Sequence, residues 1–162
     1  MNLKRLSLLV VSFALLAFPS SASTVSFLVV ETGLSEDISG GQYSSLWEGG
    51  LMNTFFDAGH IVTNNPIIRM EKKPAETLSG ELKDDIDDAF LGGVDYLVIG
   101  FLNYKITDGM ATPEEIAIKV YTTDPQALVY EKTFPAGNGK TLRDEYQYAQ
   151  NIGKLLTLEI GE

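Results

Sequence analysis

Residues able to do covalent or acid–base chemistry are few in this 162-residue chain: it has one histidine, no cysteine, 22 acidic and 12 basic residues. His60 lies between Gly59 and the β-branched run Ile61-Val62-Thr63, where a structural role outweighs a catalytic one. A lone imidazole without a thiolate supplies no zinc or iron ligand set, no thiol nucleophile and no haem attachment. No Gly-x-Ser-x-Gly elbow is present. Gly137-Asn138-Gly139-Lys140-Thr141 sits between a predicted strand and a predicted helix, as a phosphate-binding loop does. That loop's spacing requires glycine at position 134, which is Phe134. A polar loop leading into a helix cap is the simpler account. Asp84, Asp85, Asp87 and Asp88 fall on a predicted helix around Ile86, without the central glycine and closing glutamate of a calcium loop, and read as a solvated face. The expectation is a non-enzymatic chain with no metal or cofactor.

The longest irregular stretch, residues 33–44, contains Gly33, Gly40 and Gly41. Long loops on rigid scaffolds often carry function, so its Glu36, Asp37, Gln42 and Tyr43 are the candidate partner contacts. Two other readings attach to this region. One is a small-ligand-binding module, which would need a pocket with a few convergent polar groups. The other is a hydrolase using Glu36, Asp37 or His60.

These residues must be carried by a chain whose first 22 residues have the marks of a secretory leader. Lys4 and Arg5 precede an apolar run from Leu6 to Phe18, Pro19 breaks it, and Ser20-Ser21-Ala22 supplies small residues for cleavage after Ala22. The run is short for a bilayer, which takes roughly 20 residues. Residues 23–162 are then one exported domain, of a size that can build its own core without disulfides. Absence of cysteine excludes lipid attachment at the processed terminus. The formal charge of −10, two units more negative without Lys4 and Arg5, argues against nucleic acid and anionic lipid as partners. The expected location is the periplasm, and the expected partner an envelope protein or a second copy.

The element order reads β-α-β-α-β-β-β-α. Residues 24–31 form a first strand. Ser45-Leu46-Trp47-Glu48 has the spacing of a capping box opening a helix with Trp47, Leu51, Met52, Phe55 and Phe56 at helical spacing. Residues 60–64 make a short strand stopped by Asn65-Pro66, with 67–70 a possible extension. A helix over 77–91 turns Leu78, Leu82, Ile86, Ala89 and Phe90 to one side and ends at Gly92-Gly93. The run from Tyr96 to Tyr104 is apolar on both sides, with Tyr96, Val98, Leu102 and Tyr104 against Leu97, Ile99 and Phe101. That pattern places it inside a sheet. Thr107-Asp108-Gly109 is a turn, 115–122 and 127–134 are strands joined at Asp124-Pro125, and Thr141-Leu142-Arg143-Asp144 caps a last helix. Its expected buried side is Leu142, Tyr146, Ala149, Ile152, Leu156 and Ile160. The predicted fold is α/β (α+β): a single mixed sheet packed by three helices.

Three passages carry a family resemblance. Leu51-Met52-Asn53-Thr54-Phe55-Phe56-Asp57-Ala58-Gly59-His60-Ile61-Val62 is similar to the helix, small residue, glycine and valine pair of a group of bacterial envelope domains. Gly92-Gly93-Val94-Asp95-Tyr96-Leu97-Val98-Ile99-Gly100 resembles their Gly-Ala-Asp-Tyr-hydrophobic-Gly segment, and Thr123-Asp124-Pro125-Gln126 stands where they turn a hairpin. The group includes the N-terminal domain of TolB, CsgG and LpoB. The resemblance implies their fold and a non-catalytic role in binding other proteins. The chain departs from it in lacking the lipoprotein cysteine and a propeller after the domain.

Overall fold

The computed structural model describes residues 22–35, 37, 38, 40, 42–72 and 82–160, apart from the side chain of Asp85. Residues 1–21 of the expected leader, Glu36, Gly41 and Leu78, on which expectations rest above, lie outside these residues. The described elements are β1 (Thr24–Thr32), α1 (Tyr43–Asp57), β2 (Ile61–Asn64), β3 (Ile68–Met70), α2 (Lys83–Leu91), β4 (Tyr96–Thr107), β5 (Met110–Thr123), β6 (Gln126–Pro135) and α3 (Leu142–Ile160). They form one open mixed sheet in the order β2-β1-β4-β5-β6, with β3 also paired to β1. β1 runs parallel to β2, β3 and β4, and the β4–β5 and β5–β6 pairs are antiparallel. The expected extension at 67–70 is thus a separate strand. Asn65-Pro66 interrupts the edge because proline cannot donate to the ladder, and β3 resumes pairing further along β1.

Strand β4 is interior, and its alternation separates two cores. Val98, Leu102 and Tyr104 join Phe27, Trp47, Leu51, Phe55, Ile116, Ile118, Ala149, Ile152 and Leu156 beneath α1 and α3. Leu97, Ile99 and Phe101 join Leu28, Val30, Leu82, Ile86 and Ala89 beneath α2. Helices α1 and α3 cross closely because small residues meet there: a Cβ on Gly50 would lie 2.7 Å from the Ala149 Cβ, and one on Gly153 2.9 Å from the Thr54 side chain.

Local chemistry sets the boundaries. Helix α1 ends in a Schellman arrangement, with Gly59 at φ 93° and His60 N–H donating to the Phe55 carbonyl at 3.1 Å. Asp108 and Gly109, at φ 52° and 77°, turn β4 into β5. In the capping box of α3, Thr141 N–H donates to Asp144 Oδ2 at 3.0 Å and Asp144 N–H to Thr141 Oγ1 at 3.2 Å.

Four expectations need correction. Helix α1 starts at Tyr43, so Ser45 and Glu48 stand inside it and form no capping box, and Gln42 caps without a side-chain bond. Phe56 is 66% exposed, because α1 buries its small residues Gly50 and Thr54 against α3. Strand β5 begins at Met110: a bulge at Glu114, between the Asn103–Glu115 and Tyr104–Pro113 pairs, absorbs Pro113. On α3, Leu142 is 43% exposed, while Glu145 is buried at 1%.

Candidate functional site: a polar knot at the carboxyl ends of the parallel strands

In open α/β sheets, ligand sites gather outside the carboxyl ends of parallel strands where successive crossovers diverge to opposite faces. Here β1 feeds α1 on one face and β3 leads toward α2 on the other, so the divergence lies at the ends of β1 and β3. A buried carboxylate sits there. Glu31 continues the inward alternation of Val25, Phe27 and Val29 and is 5% exposed. Its Oε1 accepts the Ser44 hydroxyl at 2.7 Å, and its Oε2 accepts Arg69 Nε and Nη2 at 3.1 and 2.9 Å. Ser44 Oγ also lies 2.8 Å from the Tyr104 hydroxyl. Burial pushes the Tyr104 phenol above its ordinary range, with the Ser44 bond offsetting part of the rise.

The knot ties loop 33–42 to the sheet. A Cβ on Gly40 would lie 2.5 Å from Glu31 Oε1 and 2.7 Å from the Tyr104 ring, so the loop backbone fills the space above the carboxylate. Gly33, at φ 80°, passes so close to β4 that a Cβ would meet the Tyr104 carbonyl at 2.5 Å. Ser44 is hydrogen-bonded to a carboxylate, as a nucleophile would be, but it is 1% exposed and offers no path to a substrate.

Of the candidate contacts, Asp37 and Gln42 are exposed, and Tyr43 is half-buried against the larger core. None of these three belongs to the knot. His60 faces Ser23, with Nδ1 3.2 Å from the serine hydroxyl, and its ring lies 5.5 Å from that of Phe55. The sequence reading missed Glu31, Ser44, Arg69 and Tyr104. An acid at the inward register of an apolar strand was the available signal.

The loop that mimics a phosphate-binding segment closes on an internal anion. Glu145 Oε1 accepts Trp47 Nε1–H at 2.9 Å and Gly137 N–H at 2.8 Å, and Oε2 accepts Gly139 N–H at 3.0 Å. Gly137, at φ 71°, is pressed so near Pro113 that a Cβ would fall 2.0 Å from its carbonyl oxygen. The glycines that suggested a nucleotide let two backbone amides converge on a carboxylate of the same chain.

Glu48, on the side of α1 away from α3, has a buried Oε1 with no hydrogen-bond partner among the described residues. Burial raises its pKa, and the Asn64 side chain offsets part of the rise. The folded state therefore holds this proton more tightly than the unfolded chain, and stability falls as pH climbs above the ordinary value of 4.5. Glu48→Gln is expected to melt higher than the parent at pH 7, with the two curves converging below about pH 4. A melting series from pH 4 to 8 checks it, and equal melting temperatures throughout would refute it.

A shallow cleft of about 540 Å³ opens at the other end of the sheet, lined by Ala22, Ser23, Asp95, Tyr96, Thr122, Thr123 and Asp124. Asp95 Oδ2 accepts Thr24 N–H there at 2.6 Å. No group of three or more metal-ligating side chains occurs among the described residues, and no described helix is long and apolar enough to cross a membrane.

The architecture defines an α+β protein with one open sheet, two helices on one face and a third on the other. A family model described as "Uncharacterised protein" matches residues 24–131, more than half of the chain, and the chain belongs to that family. The match runs from β1 into β6 and stops before α3. No curated protein matches. Among solved structures, the PelC dodecamer from Paraburkholderia phytofirmans is similar with a TM-score of 0.50 and 13% identity, over 85% of this chain and 87% of that one. TolB from Acinetobacter baumannii is similar at 0.41 and 14%, over 88% of this chain and 28% of the longer protein. The hypothetical protein CT253 from Chlamydia trachomatis is similar at 0.42 and 9%, over 86% and 96%. At these identities the likeness to PelC is one of fold.

Proposed function

We propose that this is an exported, non-catalytic protein of the bacterial envelope that works by binding protein, as an assembly or accessory module. The observation that carries the reading is the direction of its polar chemistry. The Glu31, Ser44 and Tyr104 groups and the Glu145 carboxylate are buried and spent on bonds inside the chain. Large apolar side chains stand outward instead: Phe56, Leu91, Met110 and Leu158 are each at least 66% exposed. The resemblance of residues 51–62 and 92–100 to the TolB, CsgG and LpoB group supports the same role. PelC, which shares the fold, was crystallised as a dodecamer, and self-association is the form of binding proposed first. Affinity capture from envelope extracts is expected to recover a specific partner or further copies of the chain. Recovery of nothing specific, with a strictly monomeric protein in solution, would refute it.

Export follows from residues 1–22 as leader. The protein collected from a secreting host is expected to begin at Ser23 by intact mass, and a full-length precursor in the cytosol would contradict this.

The cleft at Asp95 and Asp124 favours a second reading, a small-ligand-binding module. Its volume is within the range of about 300–1,000 Å³ usual for such sites, but it lies at the end of the sheet remote from loop 33–44. A thermal-shift screen with amino acids and sugars separates the readings, since a ligand of the folded state must raise the melting temperature.

A further inference from the structure

The cleft where β1 and β4 begin is lined by Ser23, Asp95, Thr123 and Asp124, and no lysine or arginine is among the described residues that line it. Ser23 is fixed there by its own bonds. Its carbonyl accepts the Ile61 N–H at 2.9 Å, and its hydroxyl lies 3.2 Å from His60 Nδ1. One residue on, Thr24 N–H donates to Asp95 Oδ2 at 2.6 Å, and the Thr24 carbonyl accepts the Asp95 N–H at 2.9 Å. Consecutive backbone nitrogens are at most about 3.7 Å apart, since only a Cα and a carbonyl carbon separate them. The Ser23 nitrogen therefore lies within about 6 Å of the Asp95 carboxylate. Thr123 N–H donates to the Asp95 carbonyl at 3.2 Å, which brings the exposed Asp124 into the same cleft.

We propose that this cleft is the seat of the α-ammonium that leader removal creates on Ser23, with the Asp95 and Asp124 carboxylates as its counter-charges. The proposal rests on the reading of residues 1–22 as a leader and goes beyond it. In the uncleaved chain position 23 offers a neutral peptide N–H, and Ala22 lines part of the cleft. Hydrolysis of the Ala22–Ser23 bond puts a carboxylate on the departing leader and an ammonium on Ser23. Ala22 then leaves the cleft, and a unit positive charge stands close to two carboxylates, which favour the charged form of the amine. Both carboxylates are exposed, so the attraction is screened and modest. The strand it tethers is β1, which pairs with β2, β3 and β4. Processing thus firms the middle of the sheet, and the mature domain is more stable than the same domain within its precursor.

Two forms of the chain made to begin at Ser23, one with a free α-amine and one acetylated there, test it by thermal melting at low ionic strength. The titratable side chains around Ser23 are Asp95, Asp124 and Tyr96 in the cleft and His60 ahead of β2, and they are common to both forms. The acetylated form is expected to melt about 2–4 °C lower at pH 7. An ammonium held by carboxylates titrates above its ordinary value of about 7.7–8.0. Its contribution is complete below that value and is lost as pH rises through the higher folded one, so the gap should close by about pH 10. Asp95→Asn with Asp124→Asn, which keeps an oxygen for the Thr24 amide, should abolish the gap at pH 7. Equal melting at pH 7, a gap that survives the double substitution, or one unchanged at about pH 10 would each overturn the inference. The first residue is defined in both forms, so such a result leaves export standing, whereas a leader retained in the secreting host is seen by intact mass and refutes export itself.

Discussion

Glu145→Ala is expected to remove about 3–5 kcal/mol of folding stability, a large part of the roughly 5–15 kcal/mol that holds a domain. Three donors converge on this carboxylate: the Trp47 indole and the amides of Gly137 and Gly139. Alanine leaves the buried Trp47 indole and the part-buried Gly137 amide without that acceptor, while the exposed Gly139 can turn its amide to water. A buried unsatisfied donor costs about 1–3 kcal/mol, and bonds to a charged acceptor are the stronger kind. Glu145→Gln should fall between parent and alanine: one oxygen remains, but its NH₂ faces a donor. Urea denaturation of the three proteins measures the series. A loss below about 1 kcal/mol for the alanine variant would mean that water replaces the carboxylate and that the loop after β6 is not held by it.

The second large effect concerns the knot at the end of β1. Arg69→Met removes the guanidinium from Glu31, leaving a carboxylate of 5% exposure with the Ser44 hydroxyl as its one side-chain partner among the described residues. Stripping one partner from a buried pair costs about 3–5 kcal/mol. The low end is expected here, since Arg69 is 40% exposed and its half of the pair is screened by solvent. Urea denaturation of Arg69→Met beside the parent measures the loss, and a loss below about 1 kcal/mol would mean that solvent replaces the guanidinium at Glu31.

These two carboxylates mark the limit of what the sequence made legible. The run from Tyr96 to Leu102 assigns β4 to the interior of the sheet, because a strand covered on both sides stays apolar on both. Gly59 after α1, the Gly92-Gly93 pair after α2 and the Thr141–Asp144 box were equally readable, since caps use local chemistry. Glu31 and Glu145 were not, although each stands at an inward position of its element. Burial of a charge depends on what other segments bring to it, here Ser44, Arg69, Trp47 and two loop amides from distant parts of the chain. Position in the periodic pattern flags such residues, but their partners appear only when the elements pack. The same limit explains Phe56 and Leu142, whose spacing suits burial. Packing of α1 on α3 through Gly50, Thr54, Ala149 and Gly153 instead turns Phe56 outward. Of the candidate contacts in loop 33–44, the described Asp37, Gln42 and Tyr43 do not join the knot, so the loop was found by its length and its anchor was not.

The proposed account joins a folded unit whose polar groups are spent internally to a surface that works by contact. Native electrophoresis of the undenatured protein from fractionated cells tests it most directly. The account predicts a chain lacking its first 22 residues, in the envelope fraction, migrating in an assembly larger than one copy. The full-length chain in the cytosol, migrating as a single copy, would contradict it.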